Sequence, residues 1–198
     1  VWVSAMYELL ESTLDIIREE GTIVVGWFGD DEYRFAHYSK WWAPHLDYCV
    51  TGDIEAVPKY KELGARVIHA FSCEGIPVER DWSNVEERYD VAFVGGKSKP
   101  SREQYINEIK KSNIRVHLFG QGWEGGYVSS EDMIDIFKTS KINLNFSATG
   151  NRMAFKGRIA AVCLSGGFLL IDYVSGLENY FEMDKEIVCF NDAEEMID

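Results

Sequence analysis

Lys156-Gly157-Arg158-Ile159-Ala160-Ala161-Val162-Cys163-Leu164-Ser165-Gly166-Gly167-Phe168-Leu169-Leu170-Ile171 holds two kinds of element and the signal that divides them. Residues 152–164 predict a helix. Gly166-Gly167 stops it, because glycine takes the left-handed conformation that follows a last helical turn without steric cost. Residues 168–171 are a continuous apolar run of the length and type that a strand buried on both faces requires.

The same unit recurs on either side. Downstream, residues 177–181 read as a helical turn, 186–190 as a strand, and the chain from Asp192 onward as a final helix. Upstream lie a strand at 142–146, a helix at 130–138 with Ser130 as N-cap, and a strand at 115–119 that closes on Gly120-Gln121-Gly122-Trp123. Before these come a helix at 101–112 with Ser101 as N-cap and a strand at 89–94 that ends in Gly95-Gly96. Residues 71–88 contain Gly75, Pro77 and a charged run, and read as a linker. Ahead of it the alternation starts again, with a helix at 4–20, a strand at 22–28 ending in Gly29-Asp30-Asp31, an aromatic-rich stretch at 33–42, a strand at 47–51, a helix at 53–63 and a strand at 66–69. Alternating strands and helices predict an α/β fold of two Rossmann-like units with mainly parallel sheets, over 1–80 and 81–198. The first unit reads as incomplete: the chain opens without methionine and inside a helical pattern, so upstream sequence is expected.

Charge narrows the partners. A net charge of -13 over 198 residues argues against a nucleic-acid backbone as main partner, since that binding needs a basic footprint. A small anion needs only a few well-placed cations and backbone N–H groups, which the 20 Lys and Arg can supply. Cys49, Cys73, Cys163 and Cys189 form no metal-ligand spacing and read as reduced thiols. No apolar run reaches the roughly 18 residues of a membrane span, and a cytoplasmic location is expected.

The order of motifs carries more. Asp30-Asp31 after a strand, Phe93-Val94-Gly95 opening the second unit, Phe119-Gly120-Gln121-Gly122-Trp123, the 140–146 strand, Lys156-Gly157-Arg158, then Gly166-Gly167-Phe168-Leu169-Leu170 resemble the CgeB-like spore-maturation glycosyltransferases, relatives of glycosyltransferase family 4. The resemblance is most specific over 140–198. It implies a GT-B-like fold, an acceptor-side unit followed by a donor-side unit, and transfer of a sugar from a nucleotide donor to a glycan, protein or small-molecule acceptor, without metal or other cofactor. One departure stands out. The family carries a ribose-binding glutamate where this chain has Ala161, after Ala160, so a non-catalytic nucleotide- or glycan-binding protein is the alternative. A different doubly wound domain is a third reading, and the Gly-x-Gly-x-x-Gly dinucleotide fingerprint is absent.

Candidate residues follow from what the chemistry needs. A leaving diphosphate must be neutralised, and Arg152, Lys156 and Arg158 stand at the start of a helix, where cations are unfavourable unless an anion sits there. Gly95, Gly96, Gly120 and Gly122 end strands where backbone can approach a ligand, and Trp123 offers an indole near the expected base. Asn145 lies at the end of a strand and Glu178 in the turn after the last motif, where a surface carboxylate is the better account of Glu178 and ligand contact the alternative. Asp30 and Asp31, at a strand's carboxyl end, are the candidate bases on the acceptor side, although helix capping would account for either.

Overall fold

The apolar runs form the strands of two parallel sheets, and the helical stretches pack against them. The structure is a computed structural model that describes residues 2–3, 9–70, 85–97, 100–146 and 157–198. These described residues fall into two units, one up to residue 70 and one from residue 85. The expected boundary near residue 80 lies outside the described residues, as does most of the expected linker.

The first unit has four parallel strands, β1 (Trp2–Val3), β2 (Val25–Phe28), β3 (Tyr48–Thr51) and β4 (Val67–His69), in that order. Its helices are α1 (Glu11–Glu19), α2 (Asp31–Arg34), α3 (Lys40–Trp42) and α4 (Ala56–Glu62). Between α2 and α3, Phe35–Ser39 form a π-helical turn, where the sequence showed no clean period. Leu14, Val24, Phe28, Trp42, Leu46, Cys49 and Tyr60 make the core. At the amino edge Asp47 pins β2, accepting the Val24 N–H at 2.8 Å and the Arg18 Nε–H at 3.1 Å.

The second unit has five parallel strands: β5 (Tyr89–Val94), β6 (Val116–Phe119), β7 (Ser140–Asn145), β8 (Leu169–Asp172) and β9 (Val188–Phe190). They run in the order β6-β5-β7-β8-β9. Helices α5 (Pro100–Lys111), α6 (Ser130–Thr139), α7 (Gly157–Leu164) and α8 (Ala193–Ile197) connect and close it. Phe93, Ile106, Ile109, Leu118, Leu144, Phe146 and Phe190 share one core, in which the Phe146 ring stacks on Tyr105 at 5.2 Å and lies 5.1 Å from Phe93. The expected α/β class with parallel sheets is the one the chain adopts. Element ends differ by a few residues. The N-cap of α6 is Ser129 rather than Ser130, its hydroxyl accepting the Asp132 N–H at 3.0 Å, because Ser129 keeps the extended backbone that a cap requires. Among the described residues no helix is long and apolar enough to cross a membrane.

The Gly166-Gly167 turn has a packing reason beyond helix termination. Buried Asn143 of β7 donates from Nδ2 to the carbonyls of Phe137 at 3.0 Å and Phe168 at 3.2 Å. A Cβ on Gly167 would lie 2.7 Å from the Phe137 carbonyl and 2.8 Å from Asn143 Nδ2. Gly167→Ala is therefore expected to cost about 1–3 kcal/mol, read from the denaturation midpoint.

Candidate functional site

Strand order places the site. From β5 the chain crosses to β6 on one side and returns over β5 to β7 on the other, so the connections leaving β5 and β7 diverge at their carboxyl ends. Open α/β sheets bind ligands in the crevice at such a switch point.

Two loops are fastened together there. Past the end of β5 the Gly95 N–H donates to the Phe119 carbonyl at 2.8 Å and the Lys97 N–H to the Gln121 carbonyl at 2.9 Å, which carries the ladder beyond the strands. The loops touch at Gly120, whose φ is 117° and whose Cβ, if present, would lie 2.5 Å from the Gly95 carbonyl oxygen. Gly122 meets Lys97 in the same way, at 2.9 Å from its Cβ. Gly95, Gly96, Gly120 and Gly122 thus form one backbone platform.

Two arginines flank this platform, each from the first turn of a helix that follows a switch-point strand. Arg102 of α5 is 8% exposed; its Nη1 donates to the Gly96 carbonyl at 2.9 Å and its guanidinium lies 5.6 Å from the Phe93 ring centre. Its Nε is buried with no hydrogen-bond partner among the described residues. Arg158 of α7 reaches over Gly95, its Nη1 3.1 Å from where a Cβ would sit. Burial disfavours the charge on Arg102, the neighbouring Arg158 works the same way, and Asp172 opposes both. Asp172, at the end of β8, is 3% exposed. Arg102 thus has a second guanidinium, that of Arg158, and a carboxylate, that of Asp172, near enough to act on its charge. Such an arrangement is stabilised by a bound anion.

Trp123 stands beside this pair. Its ring meets Phe93 edge-on at 6.4 Å, Lys97 Nζ lies 5.3 Å from the ring centre, and its Nε1 is buried with no hydrogen-bond partner among the described residues. Lys97 is paired with Glu103 at 2.9 Å. Asn145 ends β7 and is buried; Glu178 accepts the Tyr173 hydroxyl at 3.2 Å at the mouth of the β8 connection.

Residues 102–198 match the family model described as "Glycosyl transferase-like". The chain is also similar in fold to the structure described as "Crystal Structure of alpha1,3-Fucosyltransferase with GDP", with a TM-score of 0.61 at 13% identity over 100% of this chain and 63% of that one. A second similar structure is that of the "Glycosylation Associate Protein (Gap123) complex from Streptococcus agalactiae", with a TM-score of 0.57 at 12% identity over 99% of this chain and 46% of that one. The chain therefore spans less than two thirds of either. No curated protein matches it by sequence. These likenesses bear on the fold alone, α/β units with parallel sheets.

Arg152 and Lys156 lie outside the described residues. Arg102 was missed in the sequence, although the signal that singled out Arg158, a cation in the first turn of a helix, applies to it equally. Ala160 is 5% and Ala161 1% exposed, so this face of α7 is turned into packed protein.

In the first unit the two neighbouring aspartates have different environments. Asp31 is 1% exposed, its Oδ2 accepts the Tyr60 hydroxyl at 2.9 Å, and burial raises its pKa above the usual carboxylate range. A base must reach the proton that it removes, and a carboxyl so enclosed does not. Asp30 is accessible, 3.9 Å from Arg34, and with burial it helps to raise the Tyr33 hydroxyl. Asp53, also 1% exposed, is raised by burial too, with Asp31 among the causes, and its Oδ2 has no hydrogen-bond partner among the described residues. Both carboxyls hold their protons to higher pH in the folded chain than in the unfolded one. Stability is thus fullest below the ordinary carboxylate pKa and falls as pH rises through the raised values. Asp53→Asn is expected to raise the melting temperature at pH 7.5 by about 2–4 °C, on the order of 1 kcal/mol, and to change it less at pH 4.5.

Proposed function

We propose that the second unit binds the diphosphate of a nucleotide sugar at the carboxyl ends of β5 and β7, and that the protein is a glycosyltransferase. The observation that carries this reading is the buried Arg102 Nε without a partner, beside Arg158 at the switch point. A glycosyl group leaves from a nucleoside diphosphate whose negative charge grows as the bond breaks, and preorganised cations stabilise that charge. Arg102 and Arg158, with Arg152 and Lys156 from the preceding segment, would supply them without a metal. The glycine platform would let the diphosphate approach the backbone, with Trp123 beside Lys97 next to it, and Asn145 and Glu178 are the further residues proposed to contact the donor. The match over 102–198 to a glycosyltransferase-like model and the fold neighbour solved with GDP support a nucleoside diphosphate as the ligand class. On the acceptor side Asp30 is the accessible carboxylate for taking a hydroxyl proton.

The replacement at Ala161 favours a second reading, a protein that binds the nucleotide without turning it over. A ribose diol without its carboxylate loses about 1.5–3 kcal/mol. One experiment separates the two. Melting shifts with uridine, guanosine and adenosine diphosphates and their sugars report binding, about 2.7 kcal/mol at 100 times the dissociation constant, and released diphosphate reports turnover. Binding with release supports the transferase. Binding alone supports the second reading, and neither would overturn both.

A further inference from the structure

The Trp123 indole is a second buried donor without an acceptor. Neither its Nε1 nor Arg102 Nε has a hydrogen-bond partner among the described residues. Both side chains lie against Phe93, the Trp123 ring 6.4 Å from its ring centre and the Arg102 guanidinium 5.6 Å from it. An indole N–H and a guanidinium N–H donate and never accept, so the group that completes both offers oxygen lone pairs and needs no proton of its own. Leaving either donor buried and unmet is costly. A phosphate oxygen answers that description.

The turn that carries Trp123 is fixed by its own backbone. The Gly120 N–H donates to the Gly126 carbonyl at 2.6 Å, the Trp123 N–H to the Gly120 carbonyl at 3.2 Å and the Gly125 N–H to the Leu118 carbonyl at 3.0 Å. Gly125 is wedged against β6, where a Cβ would lie 2.5 Å from that Leu118 oxygen. A donor held in this way loses little freedom when a ligand binds. The ring is ill placed to stack on a base, because Lys97 Nζ lies over it at 5.3 Å, and Glu103 holds that ammonium at 2.9 Å. Both partners of this ion pair are about half exposed, and such pairs are weakly held. Lys97 can therefore turn from Glu103 to an arriving phosphate and open the way to the indole N–H.

We infer that Trp123 is a phosphate ligand and not a platform for the base: its Nε1–H, with Arg102 Nε–H, grips non-bridging oxygens of the diphosphate. The inference rests on the reading of this crevice as a diphosphate site, and it makes phosphate, not base, the part of the nucleotide that Trp123 recognises. The test is the ¹H–¹⁵N signal of the Trp123 indole in the intact protein, assigned through its contacts with Phe93. It is followed while inorganic pyrophosphate, guanosine, uridine and adenosine diphosphates, and the three nucleosides are added. Pyrophosphate and at least one diphosphate are expected to move the indole proton downfield, and the nucleosides to leave it in place. Trp123→Phe keeps a ring and removes the N–H; it is expected to weaken pyrophosphate and that diphosphate by the same factor, about tenfold. The indole signal reads the contact in the unsubstituted protein, so the result holds even where the variant fails to fold. A diphosphate that binds while pyrophosphate leaves the indole in place, a loss in Trp123→Phe confined to the nucleotide, or unchanged affinity in the folded variant would overturn the inference and leave the diphosphate reading standing. Binding of no diphosphate at all would overturn both.

Discussion

Arg102→Ala is expected to weaken nucleoside diphosphate binding about 10- to 150-fold, the equivalent of one lost charge-assisted contact of about 1.5–3 kcal/mol. The same substitution is expected to leave stability within about 1 kcal/mol. It removes the hydrogen bond to the Gly96 carbonyl, but it also removes a buried charge that Arg158 opposes. A residue held for packing alone would show the reverse, with unfolding and affinity failing together. Arg102→Lys makes the distinction sharper, because an ammonium keeps the charge and loses the fork that bonds Gly96 and would bond a diphosphate at once. It is expected to recover part of the affinity. Calorimetric titration beside melting curves measures both quantities.

The second large effect is structural. Gly120→Ala is expected to destabilise the second unit by about 3 kcal/mol or more. Alanine at a φ of 117° is strained, and its Cβ would enter the Gly95 carbonyl at 2.5 Å. That contact joins the loops after β5 and β6, so the variant that still folds is expected to bind nucleotide poorly as well. Gly126→Ala is the comparison, for its φ of 64° carries strain without a neighbour within 4 Å. A smaller loss there separates strain from collision, and denaturant midpoints for the two variants read the difference.

Much of this fold was legible because parallel strands buried on both faces are written as unbroken apolar runs. Tyr89–Val94, Ser140–Asn145 and Leu169–Asp172 all fall within two residues of their expected places. The strand order was not legible, since nothing in residues 95–139 says that the chain returns across β5. The crevice, and with it the approach of Arg158 to Arg102, therefore came only from the structure. Arg158 was found by its misfit at a helix start; Arg102, under the same rule, was hidden in a charged, surface-like stretch. Asp30 and Asp31 could not be told apart, because the group that encloses Asp31 is Tyr60, 29 residues away. The turn at Gly166-Gly167 was readable as a helix stop, whereas the Asn143 side chain that forbids a Cβ there is a tertiary fact.

The central claim is that the platform at the end of β5 holds a diphosphate. The most direct measurement is calorimetric titration of the intact protein with guanosine, uridine and adenosine diphosphates and their monophosphates, at two salt concentrations. At least one diphosphate is expected to bind at least tenfold more tightly than its monophosphate, to weaken as salt rises, and to lose that preference in Arg102→Ala with Arg158→Ala. Equal affinity for mono- and diphosphates, or a preference that survives the loss of both arginines, would contradict it.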